Sequence, residues 1–350
     1  MVEKIWNKKL LIKSETSPKT VNYMAITNFG KGLIGSEDGI KWFNLPTPPF
    51  EILNRAIDYN DVLGTWIISV KGQYATSTDG YNWTVYSTPA TDFGDFISCT
   101  TGKYIYMFAS ASRNTVYWTT TLARWTSARI TSTSNWRAAA YSESFNKTMV
   151  VGSSAAAGYV SGTSGNSISS SGTLPSDIQW SGIVVVGDTA YAYGENPDES
   201  DYSKSTLAYT LDGKVWNATG VTKGVRAASY SPKIGAVAIS NTSSSLSGFG
   251  YGYMTTTGIQ GIGSLSGFSY IGGIKAVGDR CYLYGNKSGS PEPTPVFKYF
   301  TSSTVGILEN IVCPAGVATV NKVVAKPVSA GPSEEIVPPF DEEDDVYEQL

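Results

Sequence analysis

Short apolar runs separated by polar turns dominate the chain. Runs such as Val62–Val70, Ile178–Val186 and Phe268–Val277 are rich in aliphatic and aromatic residues and are bounded by Gly, Asn, Asp or Ser. Such runs between turn residues are typical of β-strands. No stretch keeps a helical spacing of apolar residues over the ~11 positions that a helix assignment needs. The pattern therefore predicts an all-β protein with little or no helix.

One hairpin signal recurs through the chain. In Tyr74–Trp83, an Asp-Gly pair lies between two short runs of β-forming residues. Glycine tolerates the positive φ of a tight turn, and the Asp carboxylate can accept backbone N–H groups within it. The clear copies are Ser36–Trp42, Ser77–Trp83 and Thr210–Trp216, and weaker copies are Thr119–Trp125, Ser161–Gly165, Thr255–Gly258 and Thr301–Thr304.

The spacing of these signals predicts a β-propeller. The Asp or its replacement lies at positions 38, 79, 121, 163, 212, 257 and 303, which are 41 to 49 residues apart. Repeats of roughly 40–50 residues built from short strands are typical of propeller blades. Seven signals predict seven blades. The apolar runs before each signal complete four strands per blade, so that the hairpin joins the third strand to the outermost.

The three clear copies resemble the Asp-box, or BNR repeat, whose loose pattern Ser-x-Asp-x-Gly-x-x-Trp is shortened here by one residue. The residues that carry the resemblance are Ser36, Asp38, Gly39, Trp42, Ser77, Asp79, Gly80, Trp83, Thr210, Asp212, Gly213 and Trp216. The resemblance implies a structural role on the turn between the third and fourth strands of a blade. Sialidases, other glycoside hydrolases, sorting receptors and bacteriophage virion proteins share this repeat, so it indicates a fold and leaves the function open.

The chain divides into three predicted parts: an N-terminal extension (1–19), a propeller (20–326) and an acidic C-terminal arm (327–350). Blade one lacks a leading strand of its own. Because Gly316–Lys326 is an alternating segment after the last signal, we expect it to pair with blade one and close the ring. The alternative is that the N-terminal patch Lys9–Lys13 supplies that strand.

The arm differs from the rest of the chain in charge. It holds eight of the 29 acidic residues and none of the 26 Lys and Arg, so the arm carries −8 and the body +5. Proline, aromatic and aliphatic residues interrupt the acids, which favours docking onto a partner over a merely solubilising tail. The arm residues predicted to bind the partner are Phe340, Asp341, Glu342, Glu343, Asp344, Asp345 and Tyr347.

Composition limits the chemistry of the chain. It contains no histidine, which excludes a Ser-His-Asp site. Its three cysteines, Cys99, Cys281 and Cys313, are far apart, so we expect buried free thiols and neither a disulfide framework nor a zinc site. The composition predicts no metal and no cofactor.

Three arginines are candidate channel residues. Arg55, Arg137 and Arg226 fall at similar places in predicted leading strands and could form a ring of inward-pointing cations. Such cations occur in propeller channels both with and without chemistry. None lies in the Phe/Tyr-Arg-Ile-Pro motif of sialidases. We therefore predict no catalytic residue and a protein that is not an enzyme.

The whole composition resembles that of bacteriophage virion proteins, since it is poor in cysteine and rich in Ser, Thr, Gly and Tyr, with a terminal arm. We predict a non-enzymatic interaction module of the tail or attachment apparatus, made in the host cytoplasm and present in several copies in a symmetric assembly. Other tail proteins are the expected partners, with a host-surface glycan or receptor as a further one; neither nucleic-acid binding nor membrane insertion is expected. The alternative is a carbohydrate-active propeller, either a surface-glycan binder or a sialidase-like hydrolase.

Overall fold

Seven β-sheets, built almost entirely of antiparallel strands, are arranged as blades around a central channel in the computed structural model of the protein. The structure describes residues 18–52, 56–100, 104–109, 113–153, 157–161, 167–168, 173–196, 204–241, 249–288 and 292–327. The start of the N-terminal extension and the C-terminal arm from residue 328 lie outside this range. The prediction of an all-β seven-bladed propeller is confirmed.

The blades are numbered I to VII, and the strands of each are given from the channel outward. Blade I consists of β28 (Val320–Ala325), β1 (Tyr23–Thr27), β2 (Gly32–Ser36) and β3 (Trp42–Leu45). Blade II consists of β4 (Ile57–Asn60), β5 (Thr65–Val70), β6 (Gln73–Ser77) and β7 (Thr84–Ser87). Blade III consists of β8 (Phe93–Thr100), β9 (Tyr104–Ala109), β10 (Arg113–Thr119) and β11 (Thr126–Ser134), with the short β15 (Ser167–Ile168) parallel to β11.

The remaining four blades follow the same order. Blade IV has three strands among the described residues, β12 (Trp136–Ser142), β13 (Lys147–Gly152) and β14 (Ala157–Ser161). Blade V consists of β16 (Gln179–Val186), β17 (Thr189–Glu195), β18 (Leu207–Thr210) and β19 (Asn217–Ala218). Blade VI consists of β20 (Val225–Ser231), β21 (Gly235–Asn241), β22 (Phe249–Thr255) and β23 (Gly258–Ser264). Blade VII consists of β24 (Tyr270–Val277), β25 (Arg280–Lys287), β26 (Thr294–Thr301) and β27 (Glu309–Asn310).

Helix is nearly absent from the described ranges. They contain one three-residue 3₁₀ turn, Asn28–Gly30, between β1 and β2. No helix within them is long or apolar enough to cross a membrane. No group of three or more His, Cys, Asp or Glu in the described part of the chain could hold a metal ion.

The ring is closed by a strand from the C-terminal side of the propeller. β28 pairs antiparallel with β1, with Ala25 opposite Val323. Side chains reinforce this pairing: Asn28 Oδ1 accepts the N–H of Ala318 at 2.7 Å, and Asn321 Oδ1 accepts the N–H of Phe29 at 2.7 Å. β28 lies within the segment 316–326, while the competing patch Lys9–Lys13 falls outside the described residues.

Each pair of neighbouring blades shares its own apolar core. The core between blades I and II includes the fully buried Trp66 and Ile68, and the core between blades III and IV includes Tyr106 and Trp136. Seven such clusters follow one another around the ring. Since every sheet is covered on both faces by its neighbours, the apolar runs in the sequence need not alternate strictly with polar residues. The leading strands are thereby fixed around the channel.

Candidate functional site: the central channel

The channel wall is built from bulged strands. On β12, Trp136 pairs with Gly152 while Ala138 pairs with Val151, so Arg137 is the extra residue of a bulge. A bulge of one extra residue also occurs near the start of β16, β20, β24 and β28. On β8 the bulge spans two residues, 94–95. The single extra residues are Arg137, Ser181, Arg226, Gly272 and Asn321. A bulge interrupts the alternation of faces and re-aims side chains, and bulges are common beside binding sites.

A cavity of about 270 Å³ lies inside the ring and is lined by residues from all seven leading strands. Cationic side chains predominate among its charged lining residues. These are Arg137, Arg226, Lys275 and Lys322, against the single carboxylate of Asp58. The cavity therefore carries a net positive charge, counted over the described residues.

Arg226 is held by two neighbours. Its Nε lies 3.3 Å from a carboxylate oxygen of Glu195 on β17, and its guanidinium carbon lies 5.2 Å from the centre of the Phe249 ring. The ion pair and the cation–π contact both favour this orientation of the guanidinium. A positioned guanidinium is suited to recognising a carboxylate or phosphate group.

Two tyrosines reach the channel from the second strands of blades V and VII. Tyr193 pairs with Gly182 and Tyr284 pairs with Gly273, and all four residues line the cavity. A Cβ on Gly182 would lie 2.2 Å from Tyr193 Cζ, and one on Gly273 would lie 2.6 Å from Tyr284 Oη. Glycine at these two positions therefore makes room for the aromatic rings over the leading strands.

The order around the ring alternates guanidinium and phenol groups. Arg137 of blade IV is followed by Tyr193 of blade V, Arg226 of blade VI and Tyr284 of blade VII, and Lys322 of blade I comes next. This arc combines cationic donors with hydroxyl groups in one enclosed space. It can bind an oxyanion and hydrogen-bond neighbouring hydroxyl groups of the same ligand.

The structure brings together two of the three arginines predicted from sequence. Arg137 and Arg226 both line the channel, whereas Arg55 lies outside the described residues. Sequence reasoning missed Lys275, Lys322 and Asp58 as well as both tyrosines. The direction in which these side chains point depends on the position of the bulge in each strand. That position is set by the pairing of two strands, so the sequence of one strand does not reveal it. The glycines opposite the tyrosines were a visible signal, since glycine inside a strand often marks a close approach.

The Asp-Gly turns lie away from the channel, between the third and fourth strands. In blade II, Asp79 Oδ1 accepts the N–H groups of Tyr81 and Asn82, both at 2.8 Å, and the Ser77 hydroxyl at 2.9 Å. Partial burial alone would raise the pKa of Asp79, but the N–H groups of Asn82 and Tyr81 outweigh it and hold the pKa well below its usual range. Asp38 and Asp212 make the same pairs of backbone contacts, and their pKa values are also lowered.

Each of these turns packs against the preceding blade. A Cβ on Gly39 would lie 2.1 Å from Tyr282 Oη of blade VII, and one on Gly80 would lie 3.1 Å from Met24 Cε of blade I. Trp42 is buried, with its ring centre 5.0 Å from that of Phe297 in blade VII. These contacts connect one blade to the next. The structural role that the Asp-box resemblance implies stays a prediction. The predicted arm residues 340–347 lie outside the described residues.

The cysteines have the environment of unreactive thiols where the structure describes them. Cys281 is fully buried and Cys313 is partly buried, and both are free. Burial raises the pKa of Cys313 to about 11 and also raises that of Cys281. Raised pKa values keep both sulfurs protonated at neutral pH, so neither is an activated nucleophile.

Comparison with known proteins shows the fold and no family. No family model and no curated protein matches the chain. Virginiamycin B lyase from Staphylococcus aureus is similar at 12% identity over 73% of this chain and 84% of that chain, with a TM-score of 0.55. A streptogramin B lyase gives 11% identity, coverage of 73% and 83%, and a TM-score of 0.57. Hydrazine synthase from Kuenenia stuttgartiensis gives 11% identity, coverage of 68% and 75%, and a TM-score of 0.50.

These comparisons correct one prediction. The prediction that the protein is not an enzyme is wrong, because the similar structures include two lyases, proteins in which this fold supports catalysis. The absence of histidine excludes some reactions, but it does not exclude chemistry by the Arg, Lys, Tyr and Asp groups that line this channel. At 11–12% identity the likeness shows the fold alone, so no activity is carried over.

Proposed function

We propose that the protein is a recognition component of a bacteriophage tail or attachment apparatus, whose central channel binds a group on the surface that the particle meets. The observation that carries this proposal is the bulged channel wall with its cations and tyrosines. Recognition groups on strands are held more rigidly than groups on loops, which favours selective binding. The composition rich in Ser, Thr, Gly and Tyr supports the assignment to a virion.

In this proposal the acidic arm attaches the ring to another tail protein. The arm carries −8 and contains Phe340 and Tyr347, so it offers both charge and apolar anchors to a basic, grooved partner. β28 ends at Ala325, immediately before the arm. The arm thus follows the innermost strand of blade I in the sequence, and in this proposal it fixes several copies symmetrically around a common axis. The channel mouth of each copy is left to meet its ligand.

A carbohydrate-active propeller is the second candidate. The observation that favours it is Asp58, a carboxylate in the same cavity as the tyrosines and arginines. A carboxylate and a phenol beside positioned cations are groups that glycoside-cleaving sites use. Incubating the protein with host-surface polysaccharide and measuring new reducing ends separates this candidate from simple binding.

The test of the virion assignment compares the full chain with a version truncated after Lys326. Both are produced during infection by a phage that lacks its own copy, and purified particles are analysed by quantitative mass spectrometry. We expect the full chain in particles and the truncated ring, still folded, in the unincorporated fraction. Attachment through the arm also weakens as ionic strength rises, because the interaction is between charged groups. Full-length protein that is missing from particles would contradict the virion assignment, and normal incorporation of the truncated ring would contradict the role of the arm.

A further inference from the structure

We propose that the channel cavity binds an anionic monosaccharide unit, a sugar that carries a carboxylate or a phosphate, within a surface polysaccharide. This inference deepens the proposed function and rests on the same channel site.

The charge of the cavity selects an anion. Arg137, Arg226, Lys275 and Lys322 line it together with one carboxylate, Asp58. Glu195 offsets part of the charge of Arg226, yet cations remain in excess among the described residues. Like charges enclosed by a protein wall concentrate the field and raise the local concentration of counter-ions. An anionic group in the cavity would relieve this repulsion.

A buried amide donor points to the same conclusion. Asn321 is a bulge residue of β28, lines the cavity and is 2% exposed. Its Oδ1 accepts the N–H of Phe29 at 2.7 Å, which fixes which side of the amide bears nitrogen. Its Nδ2 has no hydrogen-bond partner among the described residues. A buried donor without an acceptor is costly and uncommon. Because this N–H dipole is covered from solvent in the cavity wall, it adds to the positive potential there.

Cavity size sets the scale of the ligand. A volume of about 270 Å³ is more than a bare oxyanion needs and lies just below the ~300–1,000 Å³ of pockets for drug-sized ligands. One sugar ring with its charged substituent is of that size. A nucleic-acid duplex or a folded peptide does not fit within it.

The uncharged lining favours a sugar over a simple organic acid. Tyr193, Tyr284 and Ser181 bring hydroxyl groups to the cavity, and the tyrosine rings bring apolar faces. Hydroxyl groups both donate and accept hydrogen bonds, so they match a ligand with several hydroxyl groups of its own. Aromatic side chains that end in a polar group suit a ligand that is apolar on one face and polar at its rim.

The inference is tested with three matched probes on the full-length chain: glucose, glucuronate and glucose 6-phosphate. They share the sugar ring and differ in the group at the sixth carbon. Saturation-transfer NMR and calorimetric titration measure binding. We expect glucuronate or glucose 6-phosphate to bind at least roughly tenfold more tightly than glucose, the gain of one charge-assisted contact. The preferred probe identifies the ligand as a carboxylated or a phosphorylated sugar. Equal binding of all three probes, or binding of none at millimolar concentration, would overturn the inference.

A pair of matched variants places the binding in the channel. Asn321→Asp is nearly isosteric and keeps the acceptor for the Phe29 N–H, but it replaces the buried donor by an anionic oxygen. Asn310→Asp makes the same charge change at an exposed position on β27 of blade VII. We expect Asn321→Asp to weaken binding of the preferred probe at least tenfold and Asn310→Asp to leave it within twofold. Equal effects of the two variants would contradict the channel as the site.

A second pair of variants tests the same site in case Asn321→Asp fails to fold. Arg226→Gln removes a channel cation, and Arg124→Gln removes an exposed cation from the outer turn of blade III. Thermal unfolding confirms that each variant is folded before titration. Loss of probe binding is expected only for Arg226→Gln, and unchanged binding in a folded Arg226→Gln variant would overturn the inference. Particle incorporation is measured in parallel, so that a virion protein that binds no acidic sugar is distinguished from a protein that belongs to no particle.

Discussion

At the scale of single residues, two sets of polar side chains have different tasks. The Asp residues of the outer turns satisfy backbone N–H groups of their own hairpins, as Asp79 does for Tyr81 and Asn82. The channel residues contact groups from other strands, as Arg226 contacts Glu195 and Phe249. The first set was predictable because its contacts are local in sequence. The second set depends on partners far away along the chain.

Replacing Asp79 tests the structural role of the turns. Asp79→Ala removes the acceptor of two backbone N–H groups and of the Ser77 hydroxyl, and we expect a loss of about 1 kcal/mol in the free energy of unfolding. The exposed Asp177→Ala is the control and should change stability by less than about 0.5 kcal/mol. Urea denaturation measures both. A variant Asp79→Ala as stable as the control would exclude a stabilising role for this turn.

The turn carboxylates also predict how stability depends on pH. The folded-state pKa values of Asp38, Asp79 and Asp212 are lowered relative to the unfolded chain. Their contribution is therefore complete above the unfolded pKa of about 4 and is lost as the pH falls toward the lowered folded values. We expect the wild type to lose more stability than the triple Asp→Asn variant when the pH falls from about 5 to about 2.5. Thermal unfolding at each pH measures the stability of both proteins. Equal losses of stability in the two proteins would contradict this assignment.

Substitution of two glycines by alanine distinguishes the cost of a steric clash from the cost of a positive φ. Gly30 and Gly220 both have positive φ, of 93° and 80°. A Cβ on Gly30 would lie 1.5 Å from the carbonyl oxygen of Ile52, whereas one on Gly220 meets nothing within 4 Å. We expect Gly220→Ala to cost about 1 kcal/mol and Gly30→Ala more than about 3 kcal/mol in the free energy of unfolding. Similar costs in denaturation experiments would show that Gly30 is not in close contact with Ile52, in the segment between β3 and β4.

At the scale of elements, the sequence predicts strands and turns well and predicts their register poorly. The Asp-Gly turns and the alternating segment 316–326 were visible because turn residues and alternation are local features of the sequence. The bulges at Arg137 and Arg226 were not, since a bulge is a relation between two strands. Predicted ends also shifted: the run Val62–Val70 contains β5, which begins only at Thr65.

The closing strand β28 joins the two ends of the propeller in blade I. It pairs with β1, and the Lys326 N–H that follows it donates to the Asn22 carbonyl at 2.8 Å. Truncation after Gly316 removes β28 and exposes the edge of β1, so we expect soluble aggregates or an unfolded chain. Truncation after Lys326 keeps β28 and should leave a folded monomeric ring. Size-exclusion chromatography and circular dichroism distinguish the outcomes, and a folded monomer without β28 would contradict the described closure.

At the scale of the whole molecule, seven similar blades surround a channel that is not sevenfold symmetric. Blades IV and VI contribute arginines, blades V and VII contribute tyrosines over glycines, and blade I contributes Asn321 and Lys322. The repeat fixes the scaffold, and departures from the repeat create the site. The repeat period was therefore sufficient to predict the fold, whereas the site needed the register of all the leading strands. The resemblance to virion proteins came from composition, which carries no information about the channel.

The central claim is that the channel recognises a ligand while the Asp turns maintain the fold. It is tested most directly by adsorption of labelled full-length protein to host bacteria, measured for the wild type, the double variant Arg137→Gln/Arg226→Gln and Asp79→Asn. We predict that the channel variant loses adsorption with an unfolding temperature near that of the wild type. The turn variant should adsorb normally at 25 °C with a lowered unfolding temperature. A channel variant that is folded and adsorbs as well as the wild type would contradict the account.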